Sequence, residues 1–226
     1  THQPLSFSVS ETTEGVHIHI IDAELMGKGE KEKKDLYIEG VQNNGIINHY
    51  EYIINSEGTI EIRHVLKPEG KMPLWFPRIG LTLTVSDALD QVKWYGRGPQ
   101  ENYPDRKTGY PMGIYASTVQ AMYEPYLMPQ DYGLRTDVRW LQLTTDKGIG
   151  LQFKMNEWFN FNIYPYSTDN LTKAMYTYQL QKQKGMTLNL DYATTGVGCT
   201  ARGVFGAYKA MPQEYRRTIS IRPMMK

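Results

Sequence analysis

Short stretches in which apolar and polar residues alternate, separated by turn-forming residues, recur along most of the chain. The alternation is most regular in residues 5–9, 16–20 and 79–85. A period of two indicates β-strands that bury one face, and the turns at Gly15 and at residues 55–58 predict hairpins between neighbouring strands. This pattern restricts the chain to folds built mainly from antiparallel strands.

The number of strand patterns indicates the fold class. About a dozen strands are too many for one flat sheet and enough for two sheets packed face to face. We therefore predict an all-β fold, a large antiparallel β-sandwich, with residues 1–226 as a single domain. A chain of 226 residues is long enough to bury such a core. The one helical pattern, residues 168–174, is short and has Ser167 or Thr168 as its N-cap.

Composition and charge argue against several classes of function. The net charge is +1 with acids and bases evenly mixed, so we expect neither a nucleic-acid partner nor a membrane surface as partner. No apolar run approaches the roughly 20 residues that span a bilayer. Cys199 is the one cysteine, which excludes an internal disulfide and a cysteine-based zinc site. No glycine-rich phosphate loop precedes a helix, and we predict no cofactor.

Two histidines in the second strand pattern raise the question of a metal site. His17 and His19 are two residues apart, which places both side chains on the face of the strand that points away from the core. A metal site needs at least a third ligand, and the sequence around them offers none. We therefore predict no metal ion and a solvated face at this position.

Residues 98–106, which read GPQENYPDR, form the most distinctive loop. Its two prolines fix φ and remove backbone donors, so the segment fits neither a helix interior nor a central strand. Glu101, Asp105 and Arg106 lie within reach of one another, and a guanidinium group can bridge carboxylates through paired hydrogen bonds. We predict a structural clamp that holds the loop, the alternative being a surface turn with solvated charges.

The same loop carries a family resemblance. Residues 92–106, VKWYGRGPQENYPDR, resemble the signature of the C-terminal small-chain domain of the multidomain β-galactosidases of glycoside hydrolase family 2. Residues 123–140, YEPYLMPQDYGLRTDVRW, resemble the family's next signature. Later blocks match at residues 165–167, 171, 174, 188–191 and 196–198. The signature loop thus includes Glu101, Asn102, Tyr103, Asp105 and Arg106.

The resemblance implies that this domain is a supersandwich of the galactose-mutarotase type. It also implies that the catalytic glutamates of the whole enzyme lie in a separate barrel domain. It implies that this domain borders the active-site mouth, reaches the galactoside only through the whole enzyme, and packs on other domains of that chain and on neighbouring subunits of a homo-oligomer. The family's entry segment is not seen, so we expect a sandwich truncated at its N-terminus. A targeting segment would lie upstream, which leaves bacterial cytoplasm and periplasm open.

Two departures from the family bear on sugar contact. Some members have a stacking tryptophan after the Gly-x-Gly turn, where this chain reads Cys199, Thr200, Ala201, Arg202 and Gly203. Arg202 offers hydrogen bonds to sugar hydroxyls in its place, the alternative being a solvated loop arginine. Many relatives also have a histidine where Tyr176 stands. By resemblance, Arg202, Cys199 and Tyr176 are the residues expected near sugar.

No residue of this chain is predicted to be catalytic. Glu157 follows an asparagine, as acid/base glutamates of related barrels do, but its pattern places it in a short turn between antiparallel strands. Glu101 and Asp105 lie beside Arg106, which favours their ionised forms and opposes the raised pKa that a general acid requires.

Two alternatives to the accessory domain remain. The aromatic residues of segment 123–126 and Trp140 suit an autonomous carbohydrate-binding module. An aldose epimerase on a similar sandwich needs a histidine and a carboxylate that face one sugar. His64 and Glu61 are nearest in sequence, but their odd spacing places them on opposite faces of a strand.

Overall fold

The computed structural model describes residues 2–25, 45–199 and 203–225. The strands in chain order are β1 (His2–Thr12), β2 (Gly15–Leu25), β3 (Gly45–Ile54), β4 (Ile60–Glu69), β5 (Arg78–Val85), β6 (Gln91–Arg97), β7 (Met112–Thr118), β8 (Arg135–Thr144), β9 (Gly150–Tyr164), β10 (Met186–Thr194) and β11 (Tyr215–Met224). Helix α1 (Thr168–Lys173) follows β9, and Thr177–Gln179 and Gly206–Tyr208 form single 3-10 turns. Within the described ranges, no helix has the length and apolarity needed to cross a membrane.

The strands of the described residues pair antiparallel throughout and form one branched sheet of eleven strands. One path runs β1-β2-β3-β4-β11-β9-β8-β6-β7, and β10 joins β5 to β9 off this path. The branch arises because β9 is long. Its first half pairs with β11, as at Met155 opposite Ile219, and its second half pairs with β10, as at Asn160 opposite Asp191. The predicted all-β, antiparallel class is confirmed.

The main apolar core of the described residues packs on the inner side of this sheet. It contains buried residues from β3, β4, β5, β6, β8, β9, β10 and β11. The Trp94 ring of β6 meets the Phe161 ring of β9 edge to face, with centroids 5.9 Å apart. Pairing between β8 and β9 shifts register on both sides of Val138, which bends the sheet at this point.

The strand β1 departs from the sequence expectation of a hairpin with one buried face. The hairpin itself is confirmed, because β1 pairs with β2 across a turn that ends at Gly15. However, Leu5, Phe7 and Val9 expose 52%, 68% and 56% of their surface. These residues lie at the outer edge of the sheet, where β1 has a neighbour on one side only. An apolar stripe defined by Leu5, Phe7 and Val9 is therefore left uncovered.

Helix α1 begins where the sequence predicts it. Ser167 is the N-cap, and its side chain accepts a hydrogen bond of 3.1 Å from the backbone N–H of Asn170. Asp169 lies in the first turn and Lys173 in the last, which matches the charges favoured at each end of a helix. Leu171 anchors the helix in a small second cluster with Tyr132 and Tyr164.

Candidate functional site

The signature loop, residues 98–106, leaves the end of β6 and closes in a tight turn. Tyr103 and Arg106 exchange backbone hydrogen bonds, with Tyr103 N–H donating over 3.3 Å and Arg106 N–H over 2.8 Å. Pro104 and Asp105 occupy the two central positions, and proline is well suited to the first of them because its φ is already fixed. The turn aims the side chains of Glu101 and Arg106 at each other.

Glu101 is the centre of the loop's hydrogen bonding. Its Oε1 accepts from the Arg106 guanidinium over 2.6 Å and from the Tyr126 hydroxyl, and its Oε2 accepts from Gly133 N–H over 2.9 Å and from the Tyr103 hydroxyl over 3.2 Å. The side chain is buried. Four donors fill the acceptor positions of a carboxylate. The predicted pairing of Glu101 with Arg106 is confirmed.

The charge states of the loop follow from these contacts. Burial acts to raise the pKa of Glu101, but hydrogen bonds from Tyr126, Gly133 and Arg106 outweigh it and hold that pKa below its ordinary value. Burial and the nearby charge of Glu101 raise the pKa of Glu124. Two carboxyl groups with pKa values moved apart are typical of acid/base pairs. Glu101, however, has no lone pair left with which to meet a sugar.

Asn102 fixes the middle of the signature loop to β8. Its backbone N–H donates to Leu134 C=O over 2.8 Å, and its side-chain oxygen accepts from both the N–H and the hydroxyl of Thr136. The amide nitrogen donates to Gln100 C=O over 3.0 Å. Because Asn102 is completely buried and each of these groups is paired, it acts as a structural pin.

Asp105 corrects the predicted clamp. Its carboxylate accepts from the backbone N–H groups of Val197 over 3.0 Å and Gly198 over 2.7 Å, rather than joining Arg106 and Glu101. Successive N–H groups of a turn form a concave anion-binding nest, which competes well for a short carboxylate. Gly198 has a φ of 66°, as such a turn requires. The signature loop thereby holds the turn that leads to Cys199.

A substitution at Gly196 tests this contact. A Cβ atom at Gly196 would lie 2.3 Å from the Asp105 carboxyl carbon, so the carboxylate must move away from its two donors. We expect Gly196→Ala to lower the free energy of unfolding by about 1–3 kcal/mol, measured by urea denaturation. Gly203→Ala is the matched control, because a Cβ there meets nothing within 4 Å. Equal effects of the two substitutions would contradict the role of Asp105.

A second anchor secures both ends of the signature loop. Asp137 Oδ2 accepts from the Arg97 Nε over 2.6 Å, and its Oδ1 accepts from the Lys107 ammonium over 2.8 Å. Asp137 has a φ of 57°, which is unusual for a residue other than glycine. The two cations flank the loop in sequence and meet Asp137 at the β8 bulge. Sequence reasoning missed this anchor, since only the bulge brings Asp137 to the loop.

A guanidinium bridge between two carboxylates does occur, but at a different site. Arg78 lies 3.2 Å from Asp131 and 3.1 Å from Asp191. Asp191 is buried, and burial raises its pKa to about 6 although Arg78 opposes the shift. Asn162 donates to Asp131 over 2.9 Å, which extends the network onto β9. These contacts join β5, β9 and β10 to the segment that precedes β8.

A cleft of about 380 Å³ opens beside the Glu101 clamp. Its lining includes Gln100, Glu101, Arg106, Tyr110, Glu124 and Tyr126. Tyrosine rings beside amide, carboxylate and guanidinium groups form a surface suited to sugar, which stacks on rings and bonds through hydroxyls. The cleft is therefore a candidate for ligand contact.

Neither Tyr176 nor Cys199, two of the residues expected near sugar, is among the residues that line this cleft. Tyr176 is largely exposed and stacks on Tyr178, with ring centroids 5.5 Å apart and planes inclined by 7°. Cys199 is exposed at the end of the turn that Asp105 holds. Arg202 lies outside the described residues. Sugar contact by these three therefore stays a prediction.

Glu157 lies within a strand, and the prediction of a turn there is wrong. β9 runs without interruption from Gly150 to Tyr164, and the Glu157 carboxylate lies 3.0 Å from Arg217 on β11. The neighbouring Trp158 is exposed and carries the Arg139 guanidinium 3.3 Å from its ring centroid. Residues 156–158 are exposed in the middle of β9, and an exposed polar pair such as Asn156 and Glu157 has the same sequence pattern as a turn.

His64 and Glu61 lie on opposite faces of β4, as their spacing predicts. His64 is buried, and its two ring nitrogens lie 2.7 Å from the Tyr192 hydroxyl and 3.0 Å from the Asn48 side-chain oxygen. Glu61 bonds Arg63 over 2.8 Å on the other face. Because both ring nitrogens are engaged within the core, His64 cannot act on a sugar, which removes the support for an epimerase.

Comparison with known protein families finds a match that covers nearly the whole chain. The sequence model of the family described as beta galactosidase small chain matches residues 7–221. A β-galactosidase of Priestia megaterium is 38% identical over 147 residues, which are 65% of this chain and 14% of that protein. A β-galactosidase of Vibrio cholerae is 39% identical over 122 residues, 54% of this chain and 11% of that protein.

A third relative and one solved structure complete the comparison. A β-galactosidase of Pseudoalteromonas haloplanktis is 34% identical over 148 residues, 65% of this chain and 14% of that protein. The crystal structure of a GalM/aldose epimerase homologue from C. elegans aligns with a TM-score of 0.41 and 11% identity, over 96% of this chain and 68% of that one. The chain thus spans about one seventh or less of the length of these β-galactosidases.

Proposed function

Because the chain belongs to the beta galactosidase small chain family, we propose that residues 1–226 form a single, non-catalytic C-terminal domain of a larger β-galactosidase. In this proposal the whole enzyme hydrolyses terminal β-D-galactosides with carboxylates that lie in another domain. This chain supplies loops at the mouth of the active site. Its partners are the other domains of the same enzyme and the neighbouring subunits of a homo-oligomer.

The engagement of Glu101 carries this proposal. Retaining hydrolysis of a glycoside needs two free carboxyl groups about 5 Å apart, and inverting hydrolysis needs a wider pair. Glu101 lines the cleft, but its four hydrogen bonds go to the loop itself. Glu124 is then left without a second free carboxylate among the residues that line this cleft. The arrangement suits a rigid structural surface beside an active site better than a catalytic site.

Exposed apolar residues support packing on other domains or subunits. The stripe of Leu5, Phe7 and Val9 is uncovered on β1, and Leu127 beside the cleft is 95% exposed. Apolar side chains that are exposed in this way are suited to packing against another domain or subunit. The stripe and the cleft loop give the domain two surfaces on which the rest of the enzyme can pack.

Hydrolysis by the isolated chain tests the non-catalytic role. We expect no turnover of a chromogenic β-galactoside above the buffer rate, because the cleft lacks a pair of free carboxylates. Glu124→Gln, which changes the other carboxylate of the cleft, and Glu157→Gln serve as controls. Turnover that either substitution abolishes would contradict the proposal.

The cleft also favours a second candidate, an autonomous carbohydrate-binding module. Tyr110 and Tyr126 lie beside the polar groups of the cleft, which is the observation that favours it. Calorimetry with galactose and lactose separates the two readings. A non-catalytic accessory domain should show no binding at millimolar sugar. A carbohydrate-binding module should bind the sugar, and the Tyr110→Ala variant should bind it more weakly.

A further inference from the structure

The outer face of the sheet, opposite the core, holds a cluster of which sequence reasoning found only the two histidines. His17 and His19 lie on β2, and Glu51 on β3 is directly opposite His19 in the strand register. Paired residues of an antiparallel ladder point to the same face, so the three side chains converge. The expected solvated face is wrong for His17, which is buried between Glu51 and Thr12.

The distances among these groups are close to those between the ligands of a metal site. His17 Nδ1 lies 3.3 Å and His19 Nε2 lies 3.9 Å from the same oxygen, Glu51 Oε1. Each of the three residues offers one ligand atom, and these atoms lie within 4.8 Å of one another. Ligands bound tetrahedrally at about 2.0–2.1 Å are about 3.3 Å apart. His17 and Glu51 already have this separation, and half-exposed His19 needs a small ring movement.

The surrounding contacts orient the ligand atoms. Thr12 Oγ1 lies 3.0 Å from His17 Nε2, which leaves Nδ1 directed at the cluster. The Arg63 guanidinium donates to Glu51 Oε2 over 3.0 Å, which leaves Oε1 as the shared oxygen. Partners of this kind on the far side of each ligand fix ring orientation and carboxylate geometry in metal sites.

We propose that His17, His19 and Glu51 bind a divalent transition-metal ion of the Zn²⁺ class. Two imidazoles and one carboxylate suit zinc and its neighbours, whereas Mg²⁺ and Ca²⁺ prefer oxygen ligands alone. Three protein ligands leave a fourth position for water. The ion joins β2 to β3 near the edge of the sheet and stabilises the hairpin that carries the apolar stripe.

The competing explanation is a structural ion pair, in which protonated His17 simply neutralises Glu51. The two explanations differ in what Zn²⁺ does. An ion pair gives no specific zinc affinity, whereas a site binds one ion per chain and raises the unfolding temperature. The exposed Cys199 thiol could bind Zn²⁺ outside the proposed site, so the measurements use a Cys199→Ser background.

The test is isothermal titration of the 226-residue chain with ZnCl₂ and with MgCl₂ at pH 7.5. We expect one Zn²⁺ per chain, weaker or no binding of Mg²⁺, and an unfolding temperature raised by about 5–10 °C when Zn²⁺ is 100 times its dissociation constant. His19→Ala and Glu51→Gln should each weaken Zn²⁺ binding more than about 10-fold, since removing a ligand costs more affinity than removing a residue that only orients a ligand.

Glu61→Gln is the matched control for Glu51→Gln. Both carboxylates bond Arg63, but Glu61 lies outside the cluster. The Glu61→Gln substitution should therefore change the Zn²⁺ affinity by less than about 2-fold. His19 is half exposed, so His19→Ala keeps the fold even where Glu51→Gln does not. Absence of Zn²⁺ binding, or affinity retained in His19→Ala, would overturn the site.

Discussion

Replacing Glu101 by glutamine is expected to lower the free energy of unfolding by about 3–5 kcal/mol. The buried carboxylate accepts from Arg106, Tyr126, Gly133 N–H and Tyr103, and a neutral amide offers one acceptor oxygen and two extra donors. At least two of the four donors would then lose their partner within the protein. Urea denaturation at pH 7.5 measures the loss.

The matched control is Glu124→Gln. Glu124 lines the same cleft and has the same chemistry, but it is only half buried and lies outside the four-donor arrangement. We expect it to change the unfolding free energy by less than about 1 kcal/mol. A Glu101→Gln effect as small as that of Glu124→Gln would show that the signature loop is held by other contacts.

His64 is expected to make the protein about 3 kcal/mol less stable at pH 4 than at pH 7. Burial lowers the pKa of His64 to about 4, although Asp22 opposes the shift, whereas the unfolded chain has a value near 6.5. Between these values the unfolded state binds more protons. The stability from this group is therefore complete above pH 6.5 and is lost as the pH falls towards 4.

The neutral ring is the form that the core accommodates. Asn48 uses its amide nitrogen on Asp22 over 2.8 Å, so its oxygen must accept from His64 Nε2–H. The other ring nitrogen then accepts from the Tyr192 hydroxyl. A second proton on the ring would face that hydroxyl in a buried site, which is the physical origin of the lowered pKa.

A difference measurement isolates His64 from other titrating groups. Asp191, whose pKa is raised to about 6, gains stability as the pH falls from 6 to its unfolded value and so acts in the opposite direction. We expect His64→Gln to be less stable than the parent chain at pH 7, with the gap closing by about 3 kcal/mol at pH 4. The NMR signal of the His64 ring should titrate near pH 4, and a midpoint near 6.5 would contradict the burial argument.

The signature loop acts as a junction between several parts of the described structure. Glu101 and Asn102 fix it to the segment 133–136, Asp137 secures its flanks, and Asp105 holds the turn before Cys199. Loops near an active-site mouth gain precision when their backbone is tied to a rigid sheet. In the proposed function, this junction sets the position of the cleft and of the neighbouring loop together.

The sequence by itself determined the features that depend on near neighbours in the chain. Alternation of apolar and polar residues predicts the strands and the inward face, because the pleat repeats every two residues. The turn at residues 103–106, the cap at Ser167 and the pairing of Glu101 with Arg106 also involve residues close in sequence.

Only the tertiary structure decided which distant residues meet. Asp105 finds Val197 and Gly198, Glu51 completes the pair of histidines, and Arg78 bridges Asp131 to Asp191. These contacts follow from strand order and register. One example is that β11 and β10 both pair with β9. Strand order depends on the packing of the whole core, whereas the alternation within each strand is compatible with many orders, so the local pattern cannot choose among them.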